Sequence, residues 1–414
     1  MVRFRRFAVL PLLAATCVGP ASGQLTQAAA GGFDRPGLEL VLRSRASETT
    51  DARVARLAAL YVPEGEPSSP FLEPGAFEAT FRGAIELDLN DSFRFAIRGN
   101  GGVRLSIGGQ VVLERDTLPA DGAPASIDSE VRLNKGLNPI ELVYSSPARG
   151  DASMRLTWGN DYLPEEPVPP ASLRHAGSTA LDRGRSRRAA RDLVAEDAVS
   201  LARVVLAEYA ERRIRRDGCL VCHSRDGAPA SGPPAPDAGP THAPPDLTWA
   251  GEKFRGDWLA DYLAGHPADL PRPHPEVRAT ASPDETDLFA VGLHHQHGLA
   301  ASPPEPEPVD AELAAVGSDL IRGDRLGCHA CHALGDEPAL GGEGAEEAIN
   351  FDLVRRRLRR PFFDWFLRDP QRILPGTKMP QFVDEDGYTG LYDVFDGDAA
   401  RQFEAIWQYL GTID

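Results

Sequence analysis

The sequence has little methionine, little cysteine and no excess of positive charge. Its 414 residues include only three methionines and five cysteines. Basic residues number 44 against 61 acidic ones, a formal net charge of −17, which argues against nucleic acid as the main partner. The apolar (42%) and charged (25%) fractions are ordinary for folded proteins, so wholesale disorder is not expected. At ~150 residues per domain, the length predicts roughly two to four domains.

The first residues have the pattern of an export signal. Three arginines within the first six residues precede an apolar run at 7–18 and a small-residue cleavage site at 21–23. That run is too short to span a bilayer, and no other stretch is longer, so no membrane span is expected. Residues 1–23 are therefore predicted to be a signal peptide, and the mature protein to be periplasmic or at the cell surface. Lipidation at Cys17 is the weaker alternative, because the preceding residues make a poor lipobox.

The other four cysteines form two C-x-x-C pairs, each followed directly by histidine: Cys219, Cys222 and His223, then Cys328, Cys331 and His332. C-x-x-C-H is the attachment signature of c-type haem. Two thiols one helical turn apart reach the two vinyl groups of a porphyrin, and the adjacent histidine ligates the iron. A zinc ribbon is the main alternative, but its cysteine pairs usually lie about 15–20 residues apart. The motifs therefore predict two covalently attached haem c groups.

Both motifs lie in segments that resemble small bacterial cytochromes c, in two tandem copies. In the second copy, residues 316–320 fit a helix before the motif, 362–367 an amphipathic helix, and 374–380 a loop with Pro-Gly and Met-Pro. The closing helix carries one apolar stripe, made of Phe403, Ile406, Trp407 and Leu410. The resemblance implies two all-α cytochrome c domains.

The resemblance also implies the second axial ligand of each haem. Met379 follows His332 by 47 residues, the position of the distal methionine in this family. The first copy has no such residue, because Met1 is removed and Met154 lies in a predicted strand of another domain. His274, 51 residues after His223, is the natural replacement. The alternatives are an open iron or another histidine of the first copy: His266, His294, His295 or His297.

Unlike ligands predict unlike potentials. A thioether favours reduced iron and raises the potential, whereas a second imidazole leaves it lower. We therefore expect haem 1 to be the low-potential centre and haem 2 the high-potential one, with electrons passing from the first to the second.

The front third of the chain has the alternating pattern of β-strands. The apolar residues expected to face the core are Ile85, Leu87, Leu89, Phe93, Phe95, Ile97, Val103, Leu105, Ile107, Ile140, Leu142, Tyr144, Met154, Leu156 and Trp158. Turn signals such as Gly-Asn-Gly-Gly at 99–102 separate the strands, which predicts an antiparallel sandwich.

The order of these segments resembles the PA14 domain. The matching pieces lie at 81–83, 93–95, 102–109, 131–140 and 156–158. Some PA14 domains bind sugars through a calcium ion held by paired aspartates. The corresponding residues 99–102 contain no carboxylate, so calcium-dependent sugar binding is not expected here. Docking to a glycan or another cell-surface ligand remains an expectation that no named residue supports.

The sequence thus predicts a multidomain protein, with an all-β PA14-like sandwich followed by two all-α cytochrome c domains. Its segments are the signal peptide 1–23, the sandwich 33–172, a linker 173–195, cytochrome c domain 1 at 196–300, a Pro-rich linker 301–309 and cytochrome c domain 2 at 310–414. The arginines at 182–191 are expected to form a solvated basic hinge.

The expected function is electron transfer between redox proteins of the periplasm or cell surface, with the sandwich as a docking module. A dihaem peroxidase is one alternative, since an open haem 1 would bind peroxide. The electron-accepting subunit of a dehydrogenase is the other. Because no local acid–base group is identifiable, a carrier is favoured over a catalyst.

Overall fold

The computed structural model describes residues 32–119, 123–127, 130–194, 205–232, 245–265, 283–301, 308–341 and 348–413. The front part of this structure is built from short antiparallel strands. They are β1 Arg35–Pro36, β2 Leu38–Ser44, β3 Thr50–Ala55, β4 Ala59–Val62, β5 Phe77–Leu87, β6 Asp91–Gly99, β7 Gly102–Ile107, β8 Gln110–Arg115, β9 Ala125–Ser126, β10 Val131–Leu133, β11 Gly136–Ser145, β12 Ala152–Gly159, β13 Glu166–Pro167 and β14 Leu173–His175.

Two sheets form the sandwich. The larger has the order β1-β14-β5-β11-β7-β8, with β2 paired to β5 and β3 paired to β2. The smaller has the order β10-β6-β12-β13, with β4 paired to β12 and β9 paired to β6. Side chains from both sheets share one apolar core, which includes Phe81, Phe95 and Tyr144, each 0% exposed. The predicted all-β sandwich is confirmed.

The strand alternation places the predicted residues in this core, with one clear exception. Leu89 is 74% exposed, because β5 ends at Leu87 and the chain turns there towards β6. Trp158 stacks on Phe93 with ring centroids 4.1 Å apart, and its indole N–H donates to Glu166 at 3.1 Å. Burying a tryptophan costs little when its one donor is satisfied in this way.

The segment predicted to be a linker, residues 173–195, contains a strand and a helix instead of a solvated hinge. Residues Leu173–His175 form β14, which pairs with β5 and β1, so the sandwich extends past residue 172. Residues Thr179–Val194 form helix α1. Its Arg188 donates to Asp51 of β3 at 2.5 Å and to Glu208 of the following helix at 2.8 Å. These charged hydrogen bonds join α1 to the sandwich, and the one to Asp51 is shielded from water because Asp51 is buried.

The rest of the described chain is helical. The helices are α2 Leu206–Arg216, α3 Cys219–Cys222, α4 Ala250–Lys253, α5 Gly256–Leu263, α6 Pro283–Gln296, α7 Ala311–Leu320, α8 Asp352–Arg357, α9 Arg360–Arg368, α10 Pro370–Ile373 and α11 Ala399–Leu410. We call α2–α6 the first helical copy and α7–α11 the second. Among the helices of the described residues, none combines the length and apolar character needed to cross a bilayer.

Each helical copy has its own apolar core. Ala210, Ile214 and Leu293 belong to the first. In the second, Asp310 and Asp398 cap α7 and α11 by accepting backbone N–H groups. The predicted stripe on α11 is confirmed, since all four of its members are buried in that core: Phe403, Ile406, Trp407 and Leu410.

The two helical copies meet through equivalent residues. Phe254, just before α5, forms an antiparallel bridge with Leu358, just before α9. Two hydrogen bonds flank the bridge: Arg255 N–H donates to Arg357 O at 2.9 Å, and Arg359 N–H donates to Lys253 O at 3.0 Å. Because each copy uses the same positions, the contact has the pattern of an isologous interface.

Candidate haem sites

The first C-x-x-C-H motif forms a single helical turn. Gly218 precedes it with φ of +69°, a left-handed conformation that glycine adopts without steric cost. The turn α3 then carries both thiols, and the His223 amide donates to Cys219 O at 3.0 Å. The His223 side chain lies 2.7 Å, through Nδ1, from the carbonyl oxygen of Pro245. Since that oxygen only accepts, the proton is on Nδ1 and the lone pair of Nε2 is available to a metal.

The second motif has the same hydrogen bonds, although its turn is a 3-10 turn, Cys328–Ala330, rather than an α-helical one. Gly327 also has φ of +69°, and the His332 amide donates to Cys328 O at 3.0 Å. The His332 Nδ1 donates to Ile349 O at 2.7 Å, and its ring stacks on Phe351 with centroids 4.4 Å apart. Burial lowers the pKa of His332, which favours the neutral imidazole that ligates metals.

The four motif cysteines are free thiols. Cys219 and Cys328 are half-buried, whereas Cys222 and Cys331 are exposed. Burial raises the pKa of Cys328 to about 11, so this thiol is protonated at neutral pH. Cys219 packs against the first helical core and Cys328 against the second. The two pairs therefore belong to separate copies and do not form one four-thiolate zinc site.

Backbone contacts after each motif also repeat. Arg225 bridges Ala228 in the first copy, as Leu334 bridges Glu337 in the second. Each pair lies the same number of residues after its own motif histidine. The donor set of two thiols and one imidazole oriented by a backbone carbonyl is therefore present twice, and it fits a covalently attached haem.

Met379 lies in the loop that follows α10. It is half-buried and packs against the same core cluster as Cys328. Met379 therefore belongs to the same helical copy as the second motif. Met154, in contrast, is fully buried in β12 of the sandwich, as the sequence predicts, and is not available to either motif.

His274 and His266 lie outside the described residues. The other candidates of the first copy are all buried, at 2% exposure for His294, 4% for His295 and 2% for His297. The His294 Nδ1 donates to Gly251 O at 2.7 Å, and its Nε2 has no hydrogen-bond partner among the residues that the structure describes. Burial lowers the pKa of each of these three imidazoles to about 4.

Two of these histidines face the sandwich, which sequence reasoning did not anticipate. The His295 ring lies against Tyr61 of β4, with centroids 4.7 Å apart. The His297 Nδ1 lies 3.2 Å from Glu252 Oε1, and the same carboxylate oxygen accepts from Arg155 of β12 at 2.6 Å. Although burial alone raises the pKa of Glu252, Arg155 and His297 lower it to about 2. The first helical copy is thus joined to the sandwich through a buried charged contact.

The turn at residues 99–102, which contains no carboxylate, is held by internal hydrogen bonds of Asn100. Asn100 Nδ2 donates to Asp151 O at 2.7 Å, and Asn100 Oδ1 accepts from the Ser153 amide at 3.1 Å. In the part of the chain that the structure describes, no group of three or more His, Cys, Asp or Glu side chains is arranged to hold a metal ion.

Comparison with known proteins identifies the front part of the chain. Residues 47–171 match the family model of the PA14 domain, so the predicted PA14-like sandwich is confirmed. The match ends at residue 171 and leaves both C-x-x-C-H motifs untested. No curated protein matches the chain.

Several solved structures resemble the chain over about a third of its length. An anti-sigma factor domain-containing protein from Clostridium clariflavum is 19% identical, with a TM-score of 0.30, over 35% of this chain and 49% of its own. The PA14 sugar-binding domain of an RTX adhesin is 17% identical, with a TM-score of 0.29, over 34% of this chain and 99% of its own. An epithelial adhesin domain from Candida glabrata, solved in complex with Galβ1-3GlcNAc, is 10% identical, with a TM-score of 0.28, over 35% and 97%.

The chain spans about half the length of the anti-sigma factor domain-containing proteins that it matches. Likeness at these TM-scores supports no conclusion about what this chain binds.

Proposed function

We propose that this chain is an exported c-type cytochrome that binds two haems covalently and transfers electrons between redox proteins of the periplasm or cell surface. Each haem would be held by one C-x-x-C-H motif: Cys219, Cys222 and His223 for haem 1, and Cys328, Cys331 and His332 for haem 2.

The observation that carries this proposal is the duplicated motif geometry. Both copies place a left-handed glycine, a one-turn thiol pair and a histidine whose Nδ1 donates to a backbone carbonyl at 2.7 Å. That hydrogen bond fixes the ring and directs Nε2 away from the carbonyl, which is the orientation an axial ligand requires. A redox-active disulfide pair has no need of an adjacent imidazole held in this way.

A bound haem would supply an iron that accepts and releases single electrons, which no amino-acid side chain of this chain does at ordinary potentials. The chain itself sets how that iron behaves. His223 and His332 would each hold one haem iron, and the residues proposed to hold it from the other side, Met379 and His274, differ between the copies.

The distal ligands make the proposed transfer directional. Met379 packs against the same core as Cys328, and as a ligand its thioether would favour the reduced iron. The first copy has no methionine of its own, and His274 is the proposed ligand there, with another histidine or an open iron as alternatives. Electrons would therefore pass from haem 1 to haem 2.

The PA14 sandwich is the proposed docking module. Contact with a glycan or another cell-surface ligand is part of this proposal, and export to the periplasm or cell surface follows from the predicted signal at residues 1–23, which lie outside the described residues.

Haem attachment is tested by expressing the full chain together with a cytochrome c maturation system. We expect two haems per chain in the pyridine haemochrome assay, and an intact mass larger than the polypeptide by two haem groups. Replacing Cys219 and Cys222 together by alanine leaves one haem, as does replacing Cys328 and Cys331. The matched control, Met154→Leu in the sandwich core, retains both.

Colourless protein with the mass of the bare polypeptide would overturn the proposal. Loss of both haems from either double variant would also contradict it, because the copies have separate cores and each should hold its own haem.

A further inference from the structure

One arginine of the sandwich reaches into the first helical copy. Arg56 lies between β3 and β4, and its side chain is only 12% exposed. Its guanidinium forms a two-pronged ion pair with the carboxylate of Asp226, with Nε donating to Oδ2 at 3.0 Å. Nη2 also donates to Thr248 O at 2.6 Å, and Nη1 lies 3.0 Å from His297 Nε2. Three parts of the first copy thus meet on one side chain.

Two of these parts are the segments that hold the motif histidine. Asp226 follows His223 by three residues, and Thr248 follows by three residues Pro245, whose carbonyl accepts from His223. The Asp226 amide donates to Thr248 Oγ1 at 2.7 Å, so the two segments are also joined directly. Arg56 therefore bonds both to the segment that carries His223 and to the segment whose carbonyl orients the His223 ring.

The second copy achieves the same joining without the sandwich. Gly335, which follows His332 as Asp226 follows His223, has φ of +60°, and its amide and carbonyl both bond to the Asn350 side chain at 2.9 Å. Asp226 has nearly the same backbone conformation, with φ of +56°, although it is not glycine. Aspartate adopts this left-handed conformation more readily than most non-glycine residues, and here it adds a carboxylate that pairs with Arg56.

The geometry points to Arg56 as a positioning residue for His223: by spanning Asp226 and Thr248 it sets the orientation of the proximal ligand of haem 1, so that the sandwich is part of the support of that haem. This inference rests on the proposed function. Lysine cannot replace Arg56, because one ammonium group does not present the planar fork that bonds a carboxylate and a carbonyl together.

The test uses the full-length protein with both haems attached. Arg56→Gln and Arg56→Lys are compared with wild type by electron paramagnetic resonance of the oxidised protein, in which the signal of each haem reports the orientation of its axial imidazole. Haem 2 is the internal reference. The matched control is Arg188→Gln, which removes another buried ion pair between the sandwich side and the first copy but touches neither proximal segment.

We expect both Arg56 variants to change the g values of haem 1 and to leave those of haem 2 at their wild-type positions, while Arg188→Gln changes neither. If Arg56→Gln does not fold, Asp226→Asn weakens the same ion pair from the other side and should change the same signal. Two bound haems with unchanged g values in both Arg56 variants would overturn the inference, as would an equal change in Arg188→Gln. Absence of haem from wild-type protein would instead refute the proposed function.

Discussion

Acidification from pH 7 to pH 5 should destabilise the first helical copy and its contact with the sandwich. The reason is the three buried imidazoles of His294, His295 and His297, whose pKa burial lowers to about 4. In the unfolded chain the same groups titrate near 6.5. Between these two pH values the unfolded chain therefore binds more protons than the folded one, and the free energy of unfolding falls as the pH falls.

The size of the effect follows from the two pKa values. Protonating an unfolded histidine while its folded counterpart stays neutral costs about 2 kcal/mol of stability between pH 7 and pH 5. Three such residues would together remove roughly 5–6 kcal/mol, which is comparable to the whole stability of many domains. The pKa of Glu252 is lowered to about 2, so its contribution to the free energy of unfolding is present at pH 5 and is lost only as the pH falls below the ordinary pKa of a glutamate.

The assay is urea unfolding of the holoprotein at pH 7 and pH 5, followed by circular dichroism. His295→Phe removes one titrating ring while retaining an aromatic contact with Tyr61, and it should reduce the loss of stability by about 2 kcal/mol. Tyr61→Phe, the control, alters the same ring pair without removing a histidine and should retain the full loss. An identical loss in His295→Phe and wild type would refute the reasoning.

Two further predictions concern the second helical copy. Met379→Ala should abolish the far-red Met-to-iron absorption band of haem 2 and lower its potential in a redox titration, and an unchanged band would exclude this methionine as the ligand. Phe403→Ala should lower the free energy of unfolding by about 3–5 kcal/mol, because Phe403 is 1% exposed in the core. In urea unfolding, Phe403→Leu should cost much less, and equal losses in the two variants would contradict the packing argument.

The sequence was sufficient for features that local pattern determines. The strand alternation predicted the sandwich core, because a buried sheet face requires an apolar residue at every second position. The stripe on α11 followed from helical spacing in the same way. The thiol turn and its histidine were equally local, since the motif spans only five residues.

Contacts between distant segments were not predictable in this way. Arg56 and Asp226 are 170 residues apart, and neither has a neighbour that indicates the other. The basic segment at 182–191 was predicted to be a solvated hinge because the sequence shows its charge but not its partners. Asp51 and Glu208, which pair with Arg188, are distant from it in the sequence. One signal was present: the first copy has Asp226 where the second has Gly335, so the first copy carries a carboxylate at a position where the second has no side chain.

The two helical copies contact each other through equivalent residues, but the sandwich contacts them at different positions. In the first, Arg56 bonds the segments beside the motif histidine. In the second, Glu166 of β13 accepts from Arg372 of α10 at 2.6 Å, and α10 leads directly into the loop of Met379. Because Glu166 is almost fully buried, this pair holds α10 against the sandwich. A module that only tethered the chain to a surface would need neither contact. The sandwich instead contacts the proximal segments of proposed haem 1 and the helix that leads into the Met379 loop, so a substitution at Arg56 should be read out at haem 1 and one at Glu166 at haem 2.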